Sequence, residues 1–340
     1  MQRVWNGFRT ILRSSGVTRV GVAVSGGSDS SATTLLVDEA VRQSLLASRL
    51  TVSVDHGMRD SSSSEAQDAV RGTNGDVLSL PTPPRNMEHA RMLRYAVLAE
   101  YADAQNLDAI ITGHTKDDVA ESFLLRAGQA SGLDGLASMP PVSPLLGMPT
   151  GLEDDRRFRV GRKEPQILLV RPVLHATRAE LEDVLVENGV RRGDWVHDPA
   201  NRDTKYTRVR ARMALSASSS PSELIHSLAG VSNVLHRLRS DVDAVVAQFI
   251  DQNIIVSSAH PHAHPHADTV CLPREELLAL PRPLGARVLS SVVQTVGNRT
   301  YPPRHRAISR ILDSSINSSS TLIGVLVRTH ESTFTISPQP

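Results

Sequence analysis

The sequence predicts an α/β protein in which a parallel sheet, with helices on both faces, is followed by a smaller, mainly helical α+β domain. Short apolar runs alternate with helical patterns of roughly 10–20 residues through the first half of the chain. A glycine-rich turn follows the first apolar run directly, as in nucleotide-binding folds. These observations favour a Rossmann-like parallel sheet.

The elements of this sheet follow one another in a regular order. Apolar runs predict strands at 18–24, 50–54, 76–80, 108–112 and 167–170. Helical spacing predicts helices at 32–46, 87–105, 115–126 and 177–188. Residues 139–164 are rich in proline, glycine and arginine, so we expect a surface insertion without regular structure there.

The N-terminal segment has two interpretations that do not exclude each other. Val4, Phe8, Ile11 and Leu12 have the spacing of the core face of a helix. Residues 1–28 also contain several arginines and no acid, which is typical of a mitochondrial transit peptide. The compartment is therefore either the mitochondrial matrix or a bacterial cytoplasm.

A serine run followed by proline marks the predicted domain boundary, at 216–223. We expect a first domain at 1–215 and a second, smaller domain at 216–340. Its predicted elements are helices at 224–255, 284–295 and 305–314, and β-like runs at 321–327 and 333–336. The alternating His/Pro run at 260–266 predicts a disordered loop, with weak metal binding as the alternative.

Composition excludes several classes of chemistry. The only cysteine is Cys271, which rules out a disulfide framework within the chain, a multi-cysteine metal site and a relay of sulfur between two thiols. The 37 basic and 36 acidic residues nearly cancel, so any basic surface for nucleic acid must be local. No apolar run is long enough to span a membrane.

The turn after the first strand predicts a phosphate-binding loop. It runs Ser25-Gly26-Gly27-Ser28-Asp29-Ser30 and leads into a helix. Glycines let backbone N–H groups approach a phosphate, and the helix N-terminus adds positive potential. Asp29 would repel a phosphate unless Mg²⁺ stands between them.

Candidate functional residues also follow the other strands, where ligands bind in open parallel sheets. Asp118 and Glu121 share one helix face and are suited to hold an ammonium group or a metal, although acids at a helix start also stabilise the helix dipole. His114 just before them is a candidate proton-transfer group. Arg91 and Arg94 are candidates for phosphate contacts, or else solvated surface arginines.

Several segments occur in an order that resembles the tRNA(Ile)-lysidine synthase family of PP-loop ATP pyrophosphatases. They cover about residues 18–215, and the similarity is thinner over 225–336. The matching segments are 25–30, 54–59, 90–95, 112–121, 132–136, 171–172, 198–201 and, in the second domain, 321–325.

The resemblance implies an ATP-dependent ligase that uses Mg²⁺, L-lysine and a tRNA(Ile) with a CAU anticodon. Family members adenylate O2 of the first anticodon cytidine. The lysine amine then attacks C2 and displaces AMP, which leaves lysidine. The tRNA thereby becomes an isoleucine acceptor that reads AUA instead of AUG.

The resemblance also implies roles for individual residues. Those implied for ATP are Ser25, Gly26, Gly27, Ser28, Asp29, Ser30, Asp55, His56 and Arg91. Asp29 and Asp117 would hold Mg²⁺, and Asp118 with Glu121 would hold lysine. The implied catalytic residues are Asp29, Arg94, His114 and Asp117.

Residues 202–212 form a basic stretch with five basic residues and one acid, suited to tRNA phosphates. The candidates are Arg202, Lys205, Arg208, Arg210 and Arg212. A solvated helix face is the alternative. The family has an Arg-Asn-x-x-Arg pattern here that this chain lacks, so the sequence leaves open which arginine takes that role.

Two other functions remain open at this stage. One is another PP-loop tRNA-modifying ligase; a tRNA thiolase would need paired cysteines that the chain lacks. The other is a non-catalytic tRNA-binding relative, against which the intact loop and carboxylate pair argue. The sequence does not determine the oligomeric state, and a homodimer stays open.

Overall fold

The computed structural model describes residues 1–57, 62–73, 75–137, 139–145, 167–193, 195, 204–205, 207–257, 269–297, 299 and 302–339. The chain divides into two compact units, the first ending at His236 and the second beginning at Arg237. The predicted functional boundary between residues 215 and 216 stays a prediction.

The first unit contains a six-stranded sheet. Its strands are β1 (Arg19–Ala23), β2 (Ser48–Asp55), β3 (Asp76–Ser79), β4 (Ala109–Thr112), β5 (Val142–Pro144) and β6 (Leu168–Val170). Their order is β3-β2-β1-β4-β6-β5, and every neighbouring pair is parallel except β5 with β6. This confirms the predicted parallel sheet.

Helices cover both faces of this sheet. The helices of the first unit are α1 (Gln2–Ser15), α2 (Ser28–Arg42), α3 (Ser62–Val70), α4 (Met87–Ala104), α5 (Lys116–Gly128), α6 (Leu133–Leu136), α7 (Arg178–Glu187) and α8 (Thr207–Ser216), and α9 (Pro221–Asn253) begins in the first unit and ends in the second. Side chains of α1, α2 and α7 share one apolar core with β1, while α4 contributes to a second core with β2 and β4. The sequence predicted neither α3 nor α6.

The N-terminal segment is a helix with a buried face, which confirms the structural interpretation of that segment. Val4, Trp5, Phe8 and Leu12 of α1 are buried, and Phe8 is completely excluded from solvent. The carbonyl oxygen of Val4 also lies 3.0 Å from Nε2 of His175, in the segment between β6 and α7. α1 is therefore part of the core of the first unit.

The sheet order places a crevice at the ends of β1 and β4. From β1 the chain moves outward to β2 and β3, and it then returns to place β4 on the other side of β1. Ligands bind at such a reversal, outside the carboxyl ends of the strands. The segments that follow β1 and β4 are the predicted phosphate loop and the segment that contains His114.

One sequence-based expectation about the insertion is wrong in part. Residues 142–144, within the predicted irregular segment 139–164, form β5, which pairs antiparallel with β6. The strand is short and contains Pro144, which an edge position tolerates because one side of the strand needs no ladder hydrogen bond. Residues 146–164 of the insertion lie outside the described residues.

The second unit is built on an antiparallel sheet. Its elements are β7 (Ile255–Ser257), β8 (Thr269–Pro273), α10 (Arg274–Ala279), α11 (Arg282–Val296), α12 (His305–Leu312), β9 (Ser319–Leu322), β10 (Val325–Thr329) and β11 (Thr333–Pro338). The strand order is β7-β8-β11-β10-β9. Leu289, Val293, Ile308, Phe334 and Ile336 lie in its buried core. The smaller α+β domain is thereby confirmed as a fold.

The predicted single β-run at 321–327 is wrong, because two strands meet there. β9 ends at Leu322 and β10 begins at Val325, with a tight turn at Ile323 and Gly324, both at positive φ. Because the apolar pattern continues through this turn, the break between the two strands is not visible in the sequence. The His/Pro run at 260–266 lies outside the described residues. None of the described helices is long and apolar enough to cross a membrane.

We expect Phe8→Ala to lower the free energy of unfolding by about 3–5 kcal/mol, because it leaves a cavity in a closed core. Arg13→Ala, at an exposed position of the same helix, should change it by less than about 0.5 kcal/mol. Urea unfolding followed by circular dichroism measures both. Equal stabilities of the two variants would contradict the burial of α1.

Candidate active site

The segment after β1 has the geometry of a phosphate-binding turn. Gly26 has φ of +76°, a conformation that side-chain-bearing residues rarely adopt. The Ser30 hydroxyl accepts a hydrogen bond from the Ser25 amide at 3.2 Å and donates one to the Gly27 carbonyl oxygen at 3.0 Å. Because α2 begins at Ser28, its unpaired first amides lie in this turn.

The segment after β4 approaches this turn closely at Gly113. A Cβ atom at Gly113 would lie 2.8 Å from the carbonyl oxygen of Asp29 and 3.0 Å from the amide nitrogen of Ser30. Both atoms belong to backbone, so a side chain at this position would displace the turn. The glycine therefore lets the ends of β1 and β4 form one surface.

Asp118 caps the start of α5 and also contacts an arginine of α8. Its Oδ2 accepts a hydrogen bond from the backbone amide of Thr115 at 2.8 Å, in a reciprocal capping box with the Thr115 hydroxyl. This cap orients the carboxylate, so that Oδ1 contacts Arg208. The helix-start interpretation and the binding-site interpretation of Asp118 are thus compatible.

α7 begins opposite α5 and contributes a residue to the site. The backbone amide of Arg178, the first residue of α7, donates to Oδ2 of Asp117 at 2.8 Å. A carboxylate at a helix N-terminus satisfies an amide that has no partner within the helix. The predicted residue Asp117 is thereby held at the junction of α5 and α7.

The Arg178 guanidinium joins the predicted ATP and lysine residues. Its Nε lies 3.1 Å from Oδ2 of Asp29, and its terminal nitrogens lie 3.6 Å from Oδ1 of Asp118 and 3.8 Å from Oε1 of Glu121. Burial raises the pKa of Asp29 to about 6 against the opposing effect of Arg178, and the carboxylates of Asp118 and Asp117 raise it further. Sequence reasoning did not identify Arg178, although its place after the Thr177 cap was visible.

Two predicted tRNA residues on α8 contact the predicted lysine residues. Nε of Arg208 donates to Oε2 of Glu121 at 2.8 Å, and its NH2 donates to Oδ1 of Asp118 at 2.7 Å. Nε of Arg212 donates to Oε1 of Glu121 at 2.8 Å. The Glu121 side chain is only 1% exposed, so these arginines supply the positive charge that its burial requires.

Two further tRNA candidates, Lys205 and Arg210, lie just before α8 and within it. The Arg210 guanidinium donates to the carbonyl oxygens of Thr204 and Lys205, at 2.8 and 3.1 Å. Lys205 itself is exposed. Arg202 lies outside the described residues, as do residues 198–201.

His114 lies in a strongly positive environment. Burial, together with the guanidinium groups of Arg171, Arg94, Arg208 and Arg91, holds its pKa well below the usual range. Its Nδ1 is 2.8 Å from the hydroxyl oxygen of Thr112. This environment favours the neutral form of the imidazole.

Tyr95 and Arg171 complete this positive region. The guanidinium carbons of Arg91 and Arg94 lie 5.2 and 5.3 Å from the centre of the Tyr95 ring. Arg171 is buried and donates to the carbonyl oxygen of Pro140 at 2.8 Å. Burial alone would raise the pKa of Tyr95, but these three arginines lower it overall. The sequence showed Tyr95 and Arg171 as parts of motifs and gave neither a role.

Asp55 and His56 follow β2. The Asp55 carboxylate accepts hydrogen bonds from the Gly57 amide at 2.9 Å, the Ser62 hydroxyl at 2.5 Å and the Ser63 hydroxyl. These bonds lower its pKa and order the start of α3. Nδ1 of His56 is buried without a hydrogen-bond partner among the described residues. Met58 and Arg59 lie outside them.

The carboxylates of Asp29 and Asp117 fit a Mg²⁺ ion that also binds phosphate. Mg²⁺ usually takes one or two carboxylates and completes its shell with water and phosphate oxygens. Burial raises the pKa of Asp29 although Arg178 opposes it, and a bound cation would favour the charged carboxylate. Within the part of the chain that the structure describes, no group of three or more His, Cys, Asp or Glu side chains is placed to hold a metal by protein ligands alone.

Comparison with known families identifies the first unit. A family profile described as a PP-loop domain, ATP_bind_3, matches residues 2–218. This range includes the phosphate loop, the segment with Asp55, the segment with Asp117, Asp118 and Glu121, and α8.

Two curated proteins named tRNA(Ile)-lysidine synthase are similar over most of the chain. The protein from Ruegeria pomeroyi is 31% identical over 334 residues, which cover 95% of this chain and 71% of that protein. The protein from Hyphomonas neptunium is 31% identical over 306 residues, which cover 88% and 75%. Among solved structures, the U34-tRNA thiolase NcsA from Methanococcus maripaludis aligns with a TM-score of 0.46 and 13% identity, covering 68% of this chain and 78% of that one.

We expect Gly113→Ala to weaken ATP binding by about 5- to 150-fold, since overpacking against backbone costs roughly 1–3 kcal/mol. Gly128→Ala is the matched control, because a Cβ there meets no atom within 4 Å. Isothermal titration calorimetry with ATP measures both. If Gly113→Ala bound ATP as tightly as the control, the close approach would not matter for the loop.

Proposed function

Because the chain belongs to the tRNA(Ile)-lysidine synthase family, we propose that it joins L-lysine to the first anticodon cytidine of a CAU-anticodon tRNA(Ile) at the expense of ATP. It is a ligase with a PP-loop ATP-binding domain. The roles of individual residues and the order of the steps, given below, are part of the proposal.

One observation carries the proposal beyond family membership. The Arg178 guanidinium contacts Asp29 of the phosphate loop and, on its other nitrogens, Asp118 and Glu121. A guanidinium is only a few ångströms wide, so the phosphate loop and the carboxylate pair belong to one site. ATP bound at the first and an amine bound at the second would meet over the same crevice.

For ATP, the amides and hydroxyls of residues 25–30 would hold phosphate oxygens at the N-terminus of α2. Asp29 and Asp117 would hold Mg²⁺, which when bound neutralises phosphate charge. Arg91 and Arg94, oriented by the Tyr95 ring, would contact the departing pyrophosphate. Asp55 and His56 would line the same crevice from the end of β2.

The first step is adenylation of the cytidine. O2 of the base forms a bond to the α-phosphorus of ATP, and the bond from that phosphorus to the β-phosphate oxygen breaks, releasing pyrophosphate. Negative charge on the departing phosphates would be stabilised by the arginines around His114. The neutral His114 would orient the reacting groups through its Nε2.

The second step uses the carboxylate pair. Asp118 and Glu121 would hold ammonium groups of lysine, while its deprotonated amine attacks C2 of the base. The bond between C2 and O2 breaks, and AMP leaves with that oxygen. The attacking nitrogen, which became positively charged when it bonded to C2, releases one proton. Activation as an AMP ester is what makes an otherwise unreactive oxygen a leaving group.

The tRNA would be bound by the arginines of α8 and by the domain at 216–340. Arg202 and Lys205 extend the same basic stretch. Light scattering of the purified protein would distinguish a homodimer from a monomer. The mass of the mature N-terminus would separate a mitochondrial from a bacterial location.

The rival functions make different demands on the chain. Sulfur transfer would need two thiols, whereas Cys271 is the chain's single cysteine and lies on β8 of the second unit. Another PP-loop ligase would use a different amine or tRNA. A non-catalytic relative would bind tRNA without consuming ATP.

The direct test is an incorporation assay. Purified protein with ATP, Mg²⁺, radioactive lysine and a CAU-anticodon tRNA(Ile) transcript should label the transcript and release AMP and pyrophosphate. A transcript with the first anticodon cytidine changed to uridine is the control and should stay unlabelled. Absence of label from every CAU transcript, with ATP binding intact, would exclude the proposed reaction.

A second test addresses the carboxylate pair. Glu121→Gln should raise the KM for lysine by about 10- to 100-fold, since it removes a charge-assisted hydrogen bond worth roughly 1.5–3 kcal/mol. The KM for ATP should change less than about threefold. Glu182→Gln, on α7 beside Arg192 and away from the carboxylate pair, is the matched control. An equal rise in both KM values for Glu121→Gln would argue against an ammonium role.

A further inference from the structure

The carboxylates proposed for lysine already have guanidinium partners on α8. Both oxygens of Glu121 are bonded, Oε2 to Arg208 and Oε1 to Arg212, each at 2.8 Å. Oδ1 of Asp118 is bonded to Arg208 at 2.7 Å, and Oδ2 belongs to the capping box. A substrate ammonium would need the same oxygens, so it competes directly with Arg208.

The three arginines around Glu121 differ in how firmly they are held. Arg178 lies at the first position of α7. Its own amide is bonded to Asp117, and a capping box at Thr177 stabilises the start of the helix. The Arg208 side chain is 44% exposed, against 30% for Arg212 and 24% for Arg178. Its bonds to the two carboxylates are short, at 2.7 and 2.8 Å, but of the three arginines it is the one that solvent or another anion reaches most easily.

The position of Arg208 on α8 indicates which anion that is. Thr207–Ser216 contains three arginines and no acid, and we have proposed that this helix contacts tRNA phosphates. A guanidinium binds phosphate and carboxylate by the same forked geometry. Arg208 thus has two alternative anionic partners, one internal and one on the substrate.

We infer that Arg208 controls access to the lysine site: it occupies the place of the substrate ammonium in the free protein and is drawn off by a tRNA phosphate, so that lysine binds well only after tRNA. This inference rests on the proposed function. It makes Arg208 a residue that couples the two substrates, in addition to any affinity it adds for tRNA.

The coupling has a thermodynamic consequence. If tRNA raises the affinity for lysine by some factor, lysine must raise the affinity for tRNA by the same factor. Couplings of this kind are typically 5- to 150-fold. Because Arg208 competes with lysine within the same molecule, the apparent affinity for lysine is the intrinsic affinity multiplied by the fraction of molecules in which the site is open.

The experiment measures lysine binding by calorimetry on the full chain, without ATP so that no reaction occurs. We expect the unchanged protein to bind lysine at least tenfold more tightly with the CAU transcript than without it. Arg208→Ala should bind lysine at least tenfold more tightly than the unchanged protein when tRNA is absent, and tRNA should then add less than threefold. Arg192→Ala, which breaks another arginine–carboxylate pair of the first unit, should behave as the unchanged protein.

Two results would overturn the inference while leaving the proposed function in place. One is equal lysine affinity with and without tRNA in the unchanged protein. The other is weaker lysine binding by Arg208→Ala, which would mean that Arg208 builds the site. Failure of the incorporation assay would overturn both proposals together.

A second variant guards against misfolding. Arg208→Lys keeps the positive charge but makes fewer hydrogen bonds, so its lysine affinity without tRNA should lie between those of the unchanged protein and Arg208→Ala. Thermal unfolding by circular dichroism identifies any variant that has lost its fold. If Arg208→Ala is unfolded, a lysine affinity of folded Arg208→Lys no higher than that of the unchanged protein overturns the inference.

Discussion

The buried carboxylates of Asp118 and Glu121 must have positive partners, and much of the first unit is arranged to provide them. A carboxylate as enclosed as Glu121 would be strongly unfavourable without paired charge and hydrogen bonds. α7 supplies Arg178, and α8 supplies Arg208 and Arg212. Two helices that are distant in sequence from α5 are thus tied to it by charge.

The same arrangement places three helix N-termini around one crevice. α2 begins beneath the phosphate loop, α5 begins after Gly113 and His114, and α7 begins against Asp117. Their unpaired amides carry partial positive charge, which suits both the acidic residues there and an incoming polyphosphate. The strand order of the sheet makes this convergence possible, because β1 and β4 are neighbours.

Charge in the crevice is separated into two regions. The arginines of α4 and the buried Arg171 form a positive region around His114 and Tyr95. No carboxylate contributes to the pKa shift of either group. Around Arg178 lie the carboxylates of Asp29, Asp118 and Glu121, and burial raises the pKa of Asp29 although Arg178 opposes it. A positive region suits phosphates and the neighbouring carboxylates suit an amine, as the proposed reaction requires.

Local patterns predict the parallel sheet, the phosphate loop and the segments that carry Asp118, Glu121 and His114. These patterns are apolar periodicity, a glycine turn and spacing along one helix. The sequence did not reveal β5, the break between β9 and β10, or the role of Arg178. The folded chain brings Arg178 to Asp29, and Arg208 and Arg212 to Glu121, and no local pattern predicts these ion pairs because their residues are 87 to 149 positions apart. A basic stretch looks like a nucleic-acid surface in sequence, but which anion each arginine meets depends on which buried charge the fold places within its reach.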